Sequence, residues 1–306
     1  MLAFLFPGQG SQVPGMGKSL YESCDVARSI LDRCNRVASG ELLPLCFEGN
    51  ADGLKPTAVA QPALFAVSMA VYSSLLSRGV TPSFVAGHSV GEYAALCAAG
   101  VFSLEDGMHL VQQRGAAMAL AAEETQGGMA AVLGLDMDRV SEVCRQSGCP
   151  VVAANDNCPG QVVISGAAVY LDQVAKVLLE AGAKKVIRLA VSGGFHSPLM
   201  QSAVLTMSEV LAGVDFDAPR LQFVANVSAD WISDPAAIKA SLVEQITGPV
   251  RWTETLNRLH EAGAERFVEC GSGTVIAGLV KRTLTGAKVA SVGDISSLNQ
   301  FLEVLC

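Results

Sequence analysis

Short apolar runs bounded by glycine alternate along the chain with stretches whose apolar residues recur every three or four positions. This pattern predicts strands of a mostly parallel sheet with helices on both faces. The runs at 2–6, 83–86, 221–227, 265–269 and 287–292 read as strands. Between about 127 and 191 the order changes to strand 129–133, helix 138–146, strand 151–154, strand 161–165, helix 168–180 and strand 184–191. That βαββαβ order is the split βαβ or ferredoxin-like unit. The expected chain is therefore α/β, with a larger domain formed by 1–126 and 192–306 and a small domain, 127–191, inserted into it. No Pro- or Ser-rich linker, internal repeat or low-complexity segment interrupts the two patterns.

Composition narrows the function more than the fold. The 306 residues suffice for two domains with a substantial core. A formal charge of −8 speaks against a general nucleic-acid binder, whose footprint is basic. Nine cysteines, at 24, 34, 46, 97, 144, 149, 158, 270 and 306, are scattered with no CxxC pair and no metal-ligand spacing. Reduced thiols in a cytoplasmic protein, and no bound metal, are the expectation. The opening MLAFLF has no basic residues and meets Pro7-Gly8 too early for a signal peptide or a membrane span, so it reads as a first buried strand.

Chemistry concentrates at Gly87-His88-Ser89-Val90-Gly91, a G-x-S-x-G pattern at the end of a predicted strand. In such a turn the serine hydroxyl is presented while flanking glycines remove side chains that would clash. The N–H of Val90, at the start of the next helix, would face an oxyanion. Of four histidines, His88 is too close in sequence to reach the same hydroxyl, and His109 and His260 fall in helical or polar stretches. His196 precedes Ser197-Pro198, good first residues for a helix, whose positive end would keep a nearby imidazole neutral. It is the candidate base, against the plainer reading of a loop histidine.

Two further features could complete a site. The loop Pro7-Gly8-Gln9-Gly10-Ser11-Gln12 matches neither G-x-G-x-x-G nor the phosphate-loop pattern, and its Gln9 N–H suits a second oxyanion donor. Arg114 borders the buried face of a helix opening at Ser103, where a guanidinium wants a carboxylate or phosphate in its fork or else forms a structural salt bridge.

These segments resemble the acyltransferase family of fatty acid and polyketide synthesis that includes the malonyl-CoA:acyl carrier protein transacylases. The shared motifs are FPGQGSQ, Gln61-Pro62-Ala63-Leu64, GHSVGEY, Gln113-Arg114-Gly115 with Met118, Pro159–Gly166, FHSPLM, and Gly248-Pro249-Val250-Arg251-Trp252. One departure is Glu269-Cys270-Gly271-Ser272-Gly273, where the family usually has proline between the glycines. The resemblance implies an α/β-hydrolase-like large domain, a site between the two domains, and no cofactor beyond what the substrates carry. It makes Ser89 the nucleophile, His196 its base, Gln9 and Val90 the oxyanion donors, Arg114 the holder of the malonyl carboxylate, and the Arg251 carbonyl the group that orients His196. Phe195 before the histidine goes with malonyl rather than methylmalonyl in related synthase domains.

The expected reaction is malonyl transfer from malonyl-CoA to the phosphopantetheine thiol of acyl carrier protein through a malonyl-serine ester. Three rivals stay open on the residues alone: a serine hydrolase completed by Asp136, Asp156 or Asp172; the malonyl-transfer subunit of a malonate decarboxylase; and a module that only docks carrier protein. An acidic carrier would need local positive charge, for which Lys184, Lys185, Arg188, Lys281 and Arg282 are candidates. A monomer with no membrane partner is expected.

Overall fold

The computed structural model describes residues 1–305. Its first sheet contains β1 (Leu2–Phe6), β2 (Phe84–Gly87), β7 (Gln222–Phe223), β9 (Arg266–Cys270) and β10 (Lys288–Val292). They run parallel in the order β10-β9-β1-β2-β7, with Phe6 paired to Gly87. The loops leaving β1 and β2 are therefore neighbours at the carboxyl edge of the sheet, the usual ligand-binding edge of a doubly wound fold. Alternation along β1 sends Phe4 and Phe6 into a core on one face, and Ala3 and Leu5 into a second core with Trp252 and Leu256 on the other.

Helix Thr57–Leu76 passes through the first core and was not resolved by the strand pattern. It is long and apolar enough to cross a membrane, yet 83% of its most apolar window is buried inside the protein. Apolar residues surround it on all sides because neighbouring elements do too. Helix Leu104–Thr125 packs against it, opened as expected by Ser103, whose Oγ accepts the Asp106 N–H at 3.0 Å.

The second sheet contains β3 (Gly127–Leu133), β4 (Val151–Cys158), β5 (Gln161–Ala167), β6 (Lys185–Arg188) and β8 (Val250–Arg251), in the order β6-β3-β5-β4-β8. The first four are antiparallel neighbours in the ferredoxin-like order, and a third core lies beneath them. β8 comes from beyond residue 191 and adds to this sheet parallel to β4, a pairing the sequence pattern did not reveal.

Three strands differ from expectation beside the site. β7 pairs with β2 over two residues only; Val224 then bridges to Trp231, and Asn226 beyond it holds the neighbouring turn. β4 continues four residues further than expected, with register shifts at Ala153/Asn155 and Asp156/Cys158 that carry the polar Asn155-Asp156-Asn157 past the first sheet. β6 ends at Arg188, and residues 189–191 turn away to line the cavity.

Candidate active site

The Ser89 turn is built by what its neighbours lack. Ser89 itself has φ of 52°, a left-handed conformation that costs a non-glycine residue energy and persists where surroundings impose it. A Cβ on Gly87 would lie 1.9 Å from the Gly91 carbonyl oxygen, and one on Gly91 would lie 2.2 Å from that of Phe6. Both glycines are thus steric requirements of a tight strand-to-helix turn. Asn226 clamps it: its Oδ1 accepts the Ser89 N–H at 2.8 Å and its Nδ2 donates to the Gly87 carbonyl at 2.6 Å.

His196 also has a positive φ, 56°, and its Nε2 lies 2.8 Å from Ser89 Oγ. Its Nδ1 lies 2.8 Å from the carbonyl oxygen of Gln245. A carbonyl can only accept, so Nδ1 carries the proton and Nε2 presents a lone pair to the hydroxyl. This corrects the expectation for Arg251. Gln245 is the last residue of helix Pro235–Gln245, where carbonyls have no intrahelical partner and are free to accept. The Arg251 carbonyl instead accepts from Thr255 Oγ1 at 2.9 Å, and its guanidinium pairs with Glu254 on the surface.

Burial, followed by the nearby Arg114 charge, pushes the His196 pKa down to about 3, so its neutrality does not depend on the following helix. No carboxylate among the described residues takes the place of the Gln245 carbonyl. Asp136 caps helix Met137–Gln146, Asp172 pairs with Arg188, and Asp156 sits on β4. The arrangement is a dyad with a carbonyl in the usual position of the triad acid.

The N–H groups of Gln9 and Val90 have no acceptor among the described residues, and both residues line the cavity beside Ser89. Beneath them, His88 Nε2 contacts Asn157 Oδ1 at 2.9 Å, and burial lowers its pKa. His109 is exposed, as is His260, whose Nδ1 contacts the Ala264 carbonyl at 3.0 Å.

Arg114 is 1% exposed. Its Nη1 donates to Gln61 Oε1 at 2.7 Å, and its Nη2 donates to Gln245 Oε1 at 2.8 Å and to Ser89 Oγ at 3.3 Å. The Tyr93 ring lies 5.6 Å from its guanidinium carbon, and the Arg114 Nε has no hydrogen-bond partner among the described residues. Burial lowers its pKa. No carboxylate lies within ion-pair distance among the described residues. A buried cation held only by neutral acceptors is ready for an incoming anion.

The cavity, about 210 Å³, is walled by the first sheet's loops on one side and by Met129, Asn155, Asn157, Val163 and residues 189–191 on the other. Phe195 closes one wall next to His196, and Lys55 stands among the lining residues. Lys184, Lys185, Lys281 and Arg282 are exposed, and Arg188 is held by Asp172.

Residues 3–300 match the family model described as an acyl transferase domain. The malonyl CoA-acyl carrier protein transacylase of Bacillus subtilis (strain 168) is 42% identical, across 99% of this chain and 97% of that relative. This chain belongs to that acyltransferase family. An acyl-carrier-protein S-malonyltransferase structure from Bartonella henselae superposes with a TM-score of 0.94 at 44% identity, covering 99% of each chain. A malonyl-transacylase solved in complex with its type II polyketide-synthase acyl-carrier protein gives 0.95 at 37% identity, again over 99% of each.

Beyond the expected set, the acyltransferase site includes Gln245, Asn226, Glu92, Gln61 and Asn157. Gln61 and Glu92 lay inside quoted motifs without a role. Asn226 had a signal: it is one of two polar residues, with Gln222, in a largely apolar run. Gln245 had none beyond its place three residues before Gly248-Pro249, since an exposed helix end and a buried one share the same composition.

Proposed function

We propose that this acyltransferase moves the malonyl group of malonyl-CoA to the phosphopantetheine thiol of acyl carrier protein, with Ser89 as nucleophile and His196 as base. Supporting this most directly is the placement of a buried, carboxylate-free guanidinium, Arg114, 3.3 Å from the hydroxyl that His196 contacts. An acyl chain attached at Ser89 would bring its free carboxylate into the Arg114 fork.

In the first half-reaction His196 Nε2 takes the Ser89 proton as Oγ bonds to the thioester carbonyl carbon. The oxyanion that forms is met by the N–H groups of Gln9 and Val90. The C–S bond then breaks, coenzyme A leaves as a thiol with the proton from His196, and a malonyl ester remains on Ser89. The carrier's thiol reverses the sequence: His196 takes its proton, its sulfur attacks the ester, and Ser89 Oγ recovers the proton. No step calls for a cofactor. Phe195 would narrow the space at the α-carbon and disfavour a methyl branch.

The assignment extends to the setting. Malonyl units so transferred would feed fatty acid or polyketide synthesis, and the free thiols of the eight described cysteines accord with a cytoplasmic enzyme. Residues 1–126 and 192–306 would form the catalytic domain and 127–191 the small one, with exposed Lys184, Lys185, Lys281 and Arg282 available to an acidic carrier.

Intact mass after brief incubation with malonyl-CoA tests the reading. A single malonyl adduct is expected, absent in Ser89→Ala, weak with acetyl-CoA, and discharged by holo acyl carrier protein. Free coenzyme A accumulating without an adduct would make the protein a hydrolase. An adduct that holo acyl carrier protein leaves untouched would point to another carrier.

A further inference from the structure

One buried ionisable group has no role in that chemistry. Glu92 is 1% exposed and is not among the residues lining the cavity, yet it stands directly behind both halves of the site. Its Oε1 accepts the Asn226 N–H at 3.1 Å, and its Oε2 accepts from Gln245 Nε2. The other end of the same amide, Oε1, accepts from Arg114 Nη2 at 2.8 Å, while Nε2 also donates to the Ser89 carbonyl at 3.0 Å. Burial pushes the Glu92 pKa up to about 8, while the two bonds it accepts pull it down; each oxygen meets a donor and neither meets an acceptor for a carboxyl proton, so these hydrogen bonds hold the group as a carboxylate.

We propose that Glu92 is a positioning residue for acyl selection: it locks the Gln245 side-chain amide in the one orientation that offers its oxygen to Arg114, and thereby aims the guanidinium fork at Ser89. This deepens the malonyl-transfer reading and rests on it.

The lock follows from hydrogen-bond polarity. A carboxylate only accepts and a guanidinium only donates, whereas an amide has one accepting end and one donating end. Placed between the two ions, the amide fits one way. Turned over, it would set NH₂ against guanidinium and oxygen against carboxylate, losing both bonds in a site closed to water. With Glu92 uncharged and half its acceptors gone, that preference weakens. Arg114 would then keep Gln61 as its only fixed side-chain acceptor apart from the reacting Ser89. His196 is held by the main-chain carbonyl of Gln245, which survives a side-chain flip. The lock therefore acts chiefly on carboxylate recognition rather than on the base.

The test compares wild type with Glu92→Gln, which keeps the volume and one accepting oxygen, by rapid-quench mass measurement of ester formation at Ser89. Malonyl-CoA and acetyl-CoA are run side by side. The expected result is a ~10–100-fold fall in kcat/KM for malonyl-CoA, mostly through KM, and a fall of less than ~3-fold for acetyl-CoA, because acetyl makes no charge-assisted bonds to the fork. Equal losses for both substrates would show a general packing role and overturn the proposal, whatever the change in Tm. Gln245→Met removes the amide and keeps the carbonyl, so it should lower the malonyl-to-acetyl ratio similarly; an unchanged ratio overturns the proposal even where Glu92→Gln fails to fold. In the double variant Glu92→Gln should add nothing to the ratio, and a full additional loss would mean that Glu92 does not act through Gln245. No malonyl ester on the wild type would sink the transfer reading itself, a result distinct from an unchanged ratio in the variants.

Discussion

Arg114 and Arg251 sit at opposite extremes of this protein. Arg251 lies at the surface with its guanidinium on Glu254, like the other ion pairs among the described residues, all of which have substantially exposed side chains. Arg114 is buried and meets only amide oxygens and a hydroxyl. A surface pair contributes about 0–1 kcal/mol, because water already solvates both charges well. A buried cation has lost that solvation, so a carboxylate arriving at its fork is worth far more. Satisfied charge makes a stable surface; charge left one partner short makes a binding site. The Glu92 carboxyl group stays one amide away from Arg114, which leaves the fork open to substrate.

Replacing Arg114 should therefore have the largest effect. Arg114→Ala is expected to lower kcat/KM for malonyl-CoA relative to acetyl-CoA by ~10²-fold or more, since the charged bonds to the acyl carboxylate vanish. An unchanged ratio in steady-state assays would put the carboxylate elsewhere. Next comes the steric wall. Phe195→Ser should raise kcat/KM for methylmalonyl-CoA by about tenfold, the usual scale for one methyl group in a tight pocket. If it does not, some other residue excludes the branch.

A third prediction concerns the charge that Arg114 places on the base. Burial and this guanidinium hold the His196 pKa far below its ordinary 6.5, so protonation should shut off ester formation only well under pH 6. Removing the cation, as in Arg114→Met, should move the acid limb of kcat/KM for acetyl-CoA upward, toward 6.5. A limb already at 6.5 in the wild type would mean that His196 is more solvated than its surroundings indicate. The smallest effect belongs to Arg251→Ala. Its carbonyl does not face His196, and its side chain is in a surface pair, so kcat/KM should change by less than ~3-fold for either substrate. A large loss of turnover there would reopen the expected orienting role.

Much of the site was legible from residue types alone. Gly87 and Gly91 flank Ser89 because no Cβ fits at either position, a local constraint that leaves its mark in the motif. The alternation of β1 and the βαββαβ order were equally local, since strand and helix periodicities are set by near neighbours. Ser103 and Ser197 announced their helix starts for the same reason.

Where expectation failed, the partners are distant in sequence. His196 and Gln245 are 49 residues apart, Glu92 and Gln245 153, and Ser89 and Asn226 137. Arg251 was assigned a carbonyl role that belongs to a residue six positions earlier, because which carbonyl faces His196 depends on where one helix ends and how it packs. The layer architecture, the tight serine turn and the residue types able to do the chemistry follow from residue order alone, because backbone sterics and periodicity govern them. Packing settles which carbonyl holds the base, that Arg114 meets no carboxylate among the described residues, and that Glu92 reaches it through an amide. Those are properties of groups brought together by packing, and hydrogen-bond polarity acts between them only after the core has closed.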